Sequence, residues 1–314
     1  MPAASLLSRS VSRLVSGILS IKPLFKVAKQ RARTMMIERA ALIGVQWHQE
    51  AEALLSRGGS VAFSPDWEEE LAAIQDPGLA YPDYYVRPFH AYDEGNLGWD
   101  PAVEVEVAAH AVHSRVWGKE AEAQGDARLR QSYHEVLQGS LSQPPAQILD
   151  IGCSVGMSTF ALQDLYPTAT ITGLDLSPYF LAIAQYRSQQ QGRTVNWIHA
   201  AAEQSGLPDR CFDLVSAFLI FHELPTEAAH NILREARRLL KPGGSLALMD
   251  MNPHSPIYAK MPPYILTLLK STEPYLDEYF GLDLAAAVSA AGFETPVITA
   301  NSPRHRSLIA RVPN

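Results

Sequence analysis

The sequence predicts an α/β protein: an open, mostly parallel sheet with an antiparallel last strand, preceded by a helical N-terminal extension. Three observations predict it. From Gln147 onward the runs "QILDI", "TITGLDL", "VNWIHA", "FDLVSAFLI" and "SLALMDM" are short and continuously apolar, as in strands buried on both faces. Helical segments at 157–166, 178–191 and 226–240 separate most of them, which makes βαβ units; the link "AEQSGLPDRC" is shorter. The tail then reverses. After the helix "DLAAAVSAAGF", the strands "ETPVITA" and "HRSLIARVP" are joined through "NSPR", too short for a helical crossover, so they must be antiparallel neighbours.

The chain has 314 residues, 47% hydrophobic and 19% charged, enough for one large α/β domain plus an extension or for two domains. Its apolar runs are interrupted by charge and fall short of a membrane span. Two cysteines, Cys153 and Cys211, cannot build a disulfide framework. They point to a reducing compartment: the cytoplasm or an organelle interior such as a plastid, and not secretion. Charge is divided unevenly. Residues 1–40 carry Arg9, Arg13, Lys22, Lys26, Lys29, Arg31, Arg33 and Arg39 against Glu38 alone, a net +7; with −7 overall, the remaining 274 residues sum to −14. That balance argues against a nucleic-acid partner and suits a targeting signal or an anionic membrane surface.

Three regions follow. Residues 1–59 form a basic amphipathic helical extension. "LLSRSVSRLVSGILS" sets Leu7, Val11, Leu14, Val15 and Ile18 on one helical face, the pattern of a peripheral membrane helix and equally of a transit peptide. A second helix is expected over Leu24–Leu55, lying on the body through Met35, Met36, Leu42 and Trp47 or against a membrane. Residues 60–125 are a loop and helix cap, with Asp100-Pro101 as the expected N-cap and first position of "AVEVEVAAHAVHSRVW". His110 and His113 sit i, i+3 there without a third ligand, so they are expected to be packed or solvated, and no metal site is expected. Residues 126–314 hold a helix over about Asp126–Gly139 and the sheet, with the apolar, proline-broken stretch 252–281 as a substrate-side insertion.

"ILDIGCSVGMST" reads as a strand, a glycine turn and a helix. Gly152 would let backbone approach a ligand, and Gly156 would let the helix pack on the strand. The spacing Gly152-x-Ser154-x-Gly156 is not the GxGxxG of dinucleotide dehydrogenases, which disfavours a nicotinamide-dependent oxidoreductase. Asp175 ends the adjacent strand at the carboxyl edge of the sheet, where it either accepts both hydroxyls of a ribose or caps the helix at Ser177-Pro178.

With "LDIGCSVG", "TGLDLS", "AAAEQSGLPDRCFDLV", "FHELP", "EARRLLKPGGSLALMD" and the reversed last strand in this order, the sequence resembles the class I S-adenosylmethionine-dependent methyltransferases over about residues 126–312. The resemblance implies their Rossmann-like sheet, S-adenosyl-L-methionine as cofactor, and SN2 methyl transfer with release of S-adenosylhomocysteine. It implies that Asp150, Gly152 and Gly156 line the methionine part and that Asp175 holds the ribose diol. Ala202 and Glu203 would surround adenine, and Phe218 would touch the cofactor near sulfur. Cys153 and Ser154 of the turn, and Leu176 beside Asp175, join this set. Two positions depart from the family: Ser154 replaces a frequent glycine, and Ala201 stands where many members carry an Asp for the adenine amino group. Glu203 then takes that task, or backbone and stacking hold the ring. A catalytically inactive, cofactor-binding regulatory protein is the alternative those departures allow.

His222 and Glu223, just past the fourth strand, are the leading catalytic candidates. The imidazole either takes a proton from the atom being methylated or only shapes the pocket. Asp250 and Asn252 are further pocket candidates. The stretch "YPDYYVRPFHAYDEGNLGW" (81–99) has neither helix nor strand period but is rich in aromatics. It is expected to roof the cleft together with 252–281, with Tyr85, His90, Tyr92 and Glu94 facing inward and His90 and Tyr92 near the chemistry; the competing reading is a structural plug. Its "PFHAYDEGNLGW" also resembles methyltransferase-like proteins of photosynthetic organisms. An aromatic, aliphatic roof predicts a small apolar acceptor such as a quinone, prenyl lipid or pigment precursor.

Overall fold

The computed structural model describes residues 22–90 and 92–314. The apolar runs form β1 (Gln147–Ile151), β2 (Thr170–Asp175), β3 (Asn196–His199), β4 (Phe212–Phe218) and β5 (Leu240–Met251). Their continuous Ile, Leu and Val suit burial on both faces, and β1, β2 and β4 are buried along nearly their whole length. β1 pairs in parallel with β2 and β4, β2 with β3, and β4 with β5. β5 starts earlier than "SLALMDM", because Leu240 pairs with Phe212 beyond a register shift. β6 (Val297–Ala300) and β7 (His305–Arg311) are antiparallel, as the short link requires. β7 inserts beside β5, giving the order β3-β2-β1-β4-β5-β7-β6.

The helical stretch expected over Leu24–Leu55 is instead two helices, α1 (Lys22–Leu42) and α2 (Trp47–Leu55). Gly44 at φ +82° ends the first, with the Gly44 and Val45 N–H groups closing on the Ala41 and Ala40 carbonyls. Leu42, at that frayed end, is 67% exposed rather than packed, whereas Trp47 is buried and Met35 and Met36 are half-buried. α3 (Asp66–Ile74) packs on α7 (Pro178–Gln191), and α4 (Trp99–His113) packs on α1. An extended Gly98 precedes α4, so Asp100 lies in its first turn, where a carboxylate favours the helix dipole, and is not the N-cap.

Helices α5 (Gly125–Ser140) and α6 (Met157–Leu165) cover one face of the sheet through Leu129, Leu137, Ile148, Leu162 and Leu214. The other face buries Leu149, Val215, Ile232, Leu233 and Val288 beneath α8 (Thr226–Leu239) and α12 (Leu284–Ala290). Residues 252–281 fold as short helices α9 (Pro256–Ala259), α10 (Pro263–Thr272) and α11 (Leu276–Gly281), and α10 packs against α1. The N-terminal helices and this insertion therefore meet above the carboxyl edge of the sheet.

Part of the basic charge is taken up by ion pairs within the chain: Arg33 with the buried Glu104, and at the surface Lys29 with Asp93 and Arg31 with Glu38. The amphipathic face from Leu7 to Ile18 lies outside the described residues. Among the described residues no helix is long and apolar enough to cross a membrane.

Candidate active site

β1 runs directly into the glycine turn. Gly152 (φ +66°) and Gly156 (φ +88°) are left-handed; a Cβ on Gly152 would lie 2.5 Å from Ile220 Cδ1, and one on Gly156 2.9 Å from Phe160 Cε2. Ser154 takes φ +50°, a conformation costly for a residue with a Cβ. Asp175, ending β2 next door, fixes it there: its Oδ2 accepts from the Ser154 N–H and its Oδ1 from the Ser177 N–H, both at 2.8 Å. The cap of α7 is Ser177, whose Oγ accepts from the Phe180 N–H, so capping does not account for Asp175. Burial pushes Asp175 up to about 6 in spite of these backbone donors. Two hydroxyl donors would suit it.

Asp150 lies behind the turn. Its Oδ2 accepts from Ser158 Oγ and Thr159 Oγ1 at 2.7 Å, its Oδ1 is buried without a partner, and burial pushes it up to about 6. Neither Asp150 nor Gly156 reaches the cavity wall, which is formed here by Gly152, Cys153, Ser154, Met157 and Ser158. The same cavity, about 510 Å³, is lined further on by Asp175, Leu176, Ala202 and Phe218. Glu203 stands outside this wall: its Oε1 accepts from the Tyr84 hydroxyl at 2.6 Å, while its Oε2 is buried without a partner.

One lining cation went unread in the sequence. Arg130 on α5 faces the cavity, bonded to Asp126 (2.9 Å) and stacked over the Phe218 ring at 4.6 Å. Its only signal is the Asp126–Arg130 i, i+4 spacing on a helix that otherwise buries Leu129, Tyr133 and Leu137.

Residues 81–99 do cover the cavity, through Tyr84, Tyr85, Phe89, His90, Tyr92 and Asn96. Glu94, expected to face inward, is exposed, because the chain turns at Gly95 (φ +65°). Tyr92 lines the cavity with its ring, but its hydroxyl donates to Glu104 and accepts from Arg33 at 3.2 Å. A phenol so occupied fastens the roof to α1 and α4 and is not free to carry a proton. The His90 N–H donates to the Thr272 carbonyl at 3.1 Å and joins the two roof segments.

His222 Nδ1 is 2.7 Å from Asp250 Oδ1 and the His222 backbone N–H donates to Asp250 Oδ2. Burial opposes charge on this ring, but Asp250, followed by Glu273 and Glu223, raises it to about 10. A ring so raised is a poor proton acceptor near neutrality, which favours the pocket-shaping alternative over proton uptake. His113, by contrast, is a packed histidine, 2.6 Å from Asp126 in a buried pair, and His110 lies 3.8 Å from Glu106.

A methyltransferase-domain family model matches residues 148–244. The chain is 31% identical over 169 residues to the ubiquinone biosynthesis O-methyltransferase of Xanthomonas axonopodis pv. citri, covering 51% of this chain and 67% of that protein. It is 30% identical over 162 residues to an uncharacterized methyltransferase of Synechocystis, covering 51% and 73%. The chain belongs to the class I S-adenosylmethionine-dependent methyltransferases. The demethylmenaquinone methyltransferase of Thermus thermophilus is 31% identical over 114 residues, covering 36% of this methyltransferase and 51% of that protein. S-adenosyl-L-methionine is thus the cofactor, and the nicotinamide alternative falls away. The family-matched stretch contains the glycine turn, Asp175 and Glu223. His90 and the insertion 252–281 lie outside it.

Proposed function

We propose that this methyltransferase acts on a small apolar acceptor (a quinone, prenyl lipid or pigment precursor) held under the roof, with its reacting atom near the glycine turn. The single observation that carries the proposal is the continuity of the cavity. The cavity lined by Ser154, Asp175 and Phe218 is also lined by Met35 and Met36 of α1, Ala108 and Val112 of α4, and Ile265 and Leu268 of α10, an apolar arm with Arg33 and Arg39 of α1 also in its wall. The names of two relatives, a ubiquinone biosynthesis O-methyltransferase and a demethylmenaquinone methyltransferase, favour a quinone head.

S-adenosyl-L-methionine supplies an electrophilic methyl group on a sulfonium. Gly152, Cys153 and Ser154 would border its methionine portion, and Arg130 would hold the carboxylate. Asp175 would accept from the ribose hydroxyls, with Leu176 and Ala202 against the adenine. Glu203, bonded to Tyr84 outside the cavity wall, would leave the adenine to backbone and to that apolar wall. Phe218, Tyr84 and Tyr85 would exclude water from the methyl, His222, anchored on Asp250, would orient the acceptor head, and the proton that a hydroxyl acceptor loses as its oxygen is methylated would pass to solvent. Methyl transfer draws mainly on such alignment, which contributes roughly 7–11 kcal/mol in well-oriented systems.

The test is steady-state kinetics with a demethylated quinol bearing or lacking one isoprenoid unit. Each buried CH₂ contributes about 0.8 kcal/mol, so the tail-less compound should show at least a tenfold higher KM. Leu268→Arg should erase that preference without changing S-adenosylmethionine affinity. Equal KM values for the two acceptors would remove the apolar arm from the account.

A further inference from the structure

We propose that His90, Glu223 and Glu273 bind a divalent transition-metal cation of zinc's size, with one coordination position left open toward the cavity. Three stretches far apart in the chain deliver these groups: the roof, the turn after β4 and the end of α10. His90 Nε2 lies 3.6 Å from Glu223 Oε1 and 3.4 Å from Glu273 Oε1, and the donor atoms of all three lie within 4.8 Å of one another. These separations exceed the about 2.7–3.2 Å of a well-formed N–H···O bond. They match the edge of a tetrahedron around zinc, roughly 3.3–3.6 Å for bonds of about 2.0–2.2 Å.

A buried carboxylate oxygen supplies a second observation. Glu273 is only 8% exposed and its Oε2 has no hydrogen-bond partner, a costly arrangement for a buried carboxylate. His90 holds φ +49°, a strained backbone for an imidazole residue, and its N–H bond to Thr272 keeps the ring beside Glu273. Binding would displace the proton that His90 holds between its two carboxylates, and two carboxylates and a neutral imidazole then balance a dication. One nitrogen and two oxygens favour zinc, manganese or iron over magnesium, which takes oxygen ligands. All three residues line the cavity, and three protein ligands with an open position is the arrangement of a working rather than a structural metal. An acceptor oxygen taking that position rests on the proposed methyl transfer; metal binding does not.

The test uses the full chain, stripped by a chelator and titrated with Zn²⁺ by calorimetry and with Co²⁺ by visible spectroscopy. One equivalent per chain and a tetrahedral Co²⁺ spectrum are expected. His90→Ala and Glu273→Gln should each weaken binding by more than the ~10–100-fold that loss of a supporting residue costs. Thermal unfolding of the metal-free variants checks their folding, and Glu223→Gln replaces either that fails. S-adenosylmethionine affinity, measured on the same metal-free samples, should stay within twofold of the parent. No stoichiometric binding by the parent chain, or equal affinity in the variants, overturns the proposal. Intact metal binding with no S-adenosylmethionine binding at all supports the metal site and counts against the methyl-transfer reading.

Discussion

The floor and the roof of this cavity are built by opposite means. The floor is a contiguous backbone device: β1, a turn forced left-handed at Gly152 and Ser154, and a carboxylate one strand away that grips the turn through the Ser154 N–H. The roof is stitched from distant stretches, by side chains at Tyr92 and Tyr84 and by backbone at His90. Tyr92 is tied to Arg33 and Glu104, Tyr84 to Glu203, and the His90 N–H to Thr272. The family model covers the floor and stops short of the roof. The matched stretch holds the floor's glycine turn and Asp175, whereas residues 81–99 and 252–281 of the roof lie outside it.

If that division holds, damage to the floor and to the roof should separate in the kinetics. Asp175→Ala should have the largest effect: two charge-assisted hydrogen bonds at about 1.5–3 kcal/mol each imply roughly 10²–10⁴-fold weaker S-adenosylmethionine binding by calorimetry. A change confined to acceptor KM would break the comparison. The pH profile sharpens it. Asp175 has its proton affinity raised by burial, to about 6, and a protonated carboxyl accepts less well. Cofactor affinity should therefore be level above pH 6 and decline below it, and Asp175→Asn should be weak and flat across the same range.

Tyr92→Phe removes the hydroxyl between Arg33 and Glu104, a loss of about 1–3 kcal/mol in a partly buried charged network. Acceptor KM should rise about 5–100-fold while the S-adenosylmethionine Kd stays within twofold; an equal rise in both would mean that roof and floor are one unit. Ser154→Gly should give the smallest change, a gain in unfolding free energy of up to about 1 kcal/mol at a φ of +50°. Denaturant melts would read it, and a loss of stability would mean that the Ser154 side chain does more than tolerate the turn.

The floor was legible because its physics is local. Glycines between an apolar run and a helix, and an acid at the next strand end, each constrain backbone within a few residues. The reversed β7 was legible for the same reason, since "NSPR" leaves no room for a crossover. Gly44 shows the limit: an isolated glycine in a helical pattern is either tolerated or a stop, and only the closing bonds to Ala40 and Ala41 decide it. Glu94 looked inward-facing by chemical type, yet the left-handed Gly95 turns it to solvent. The meeting of His90, Glu223 and Glu273 is set by how the roof and insertion dock on the sheet, which no spacing encodes. Arg130 hid as an ordinary helix-surface basic residue.

A crystal structure of the protein with S-adenosylhomocysteine tests the division of floor and roof most directly. It should place both ribose hydroxyls within hydrogen-bond distance of the Asp175 carboxylate, with the thioether sulfur facing the space beneath Tyr85 and His90. A ribose bound away from Asp175, or a sulfur turned from that space, would contradict the account.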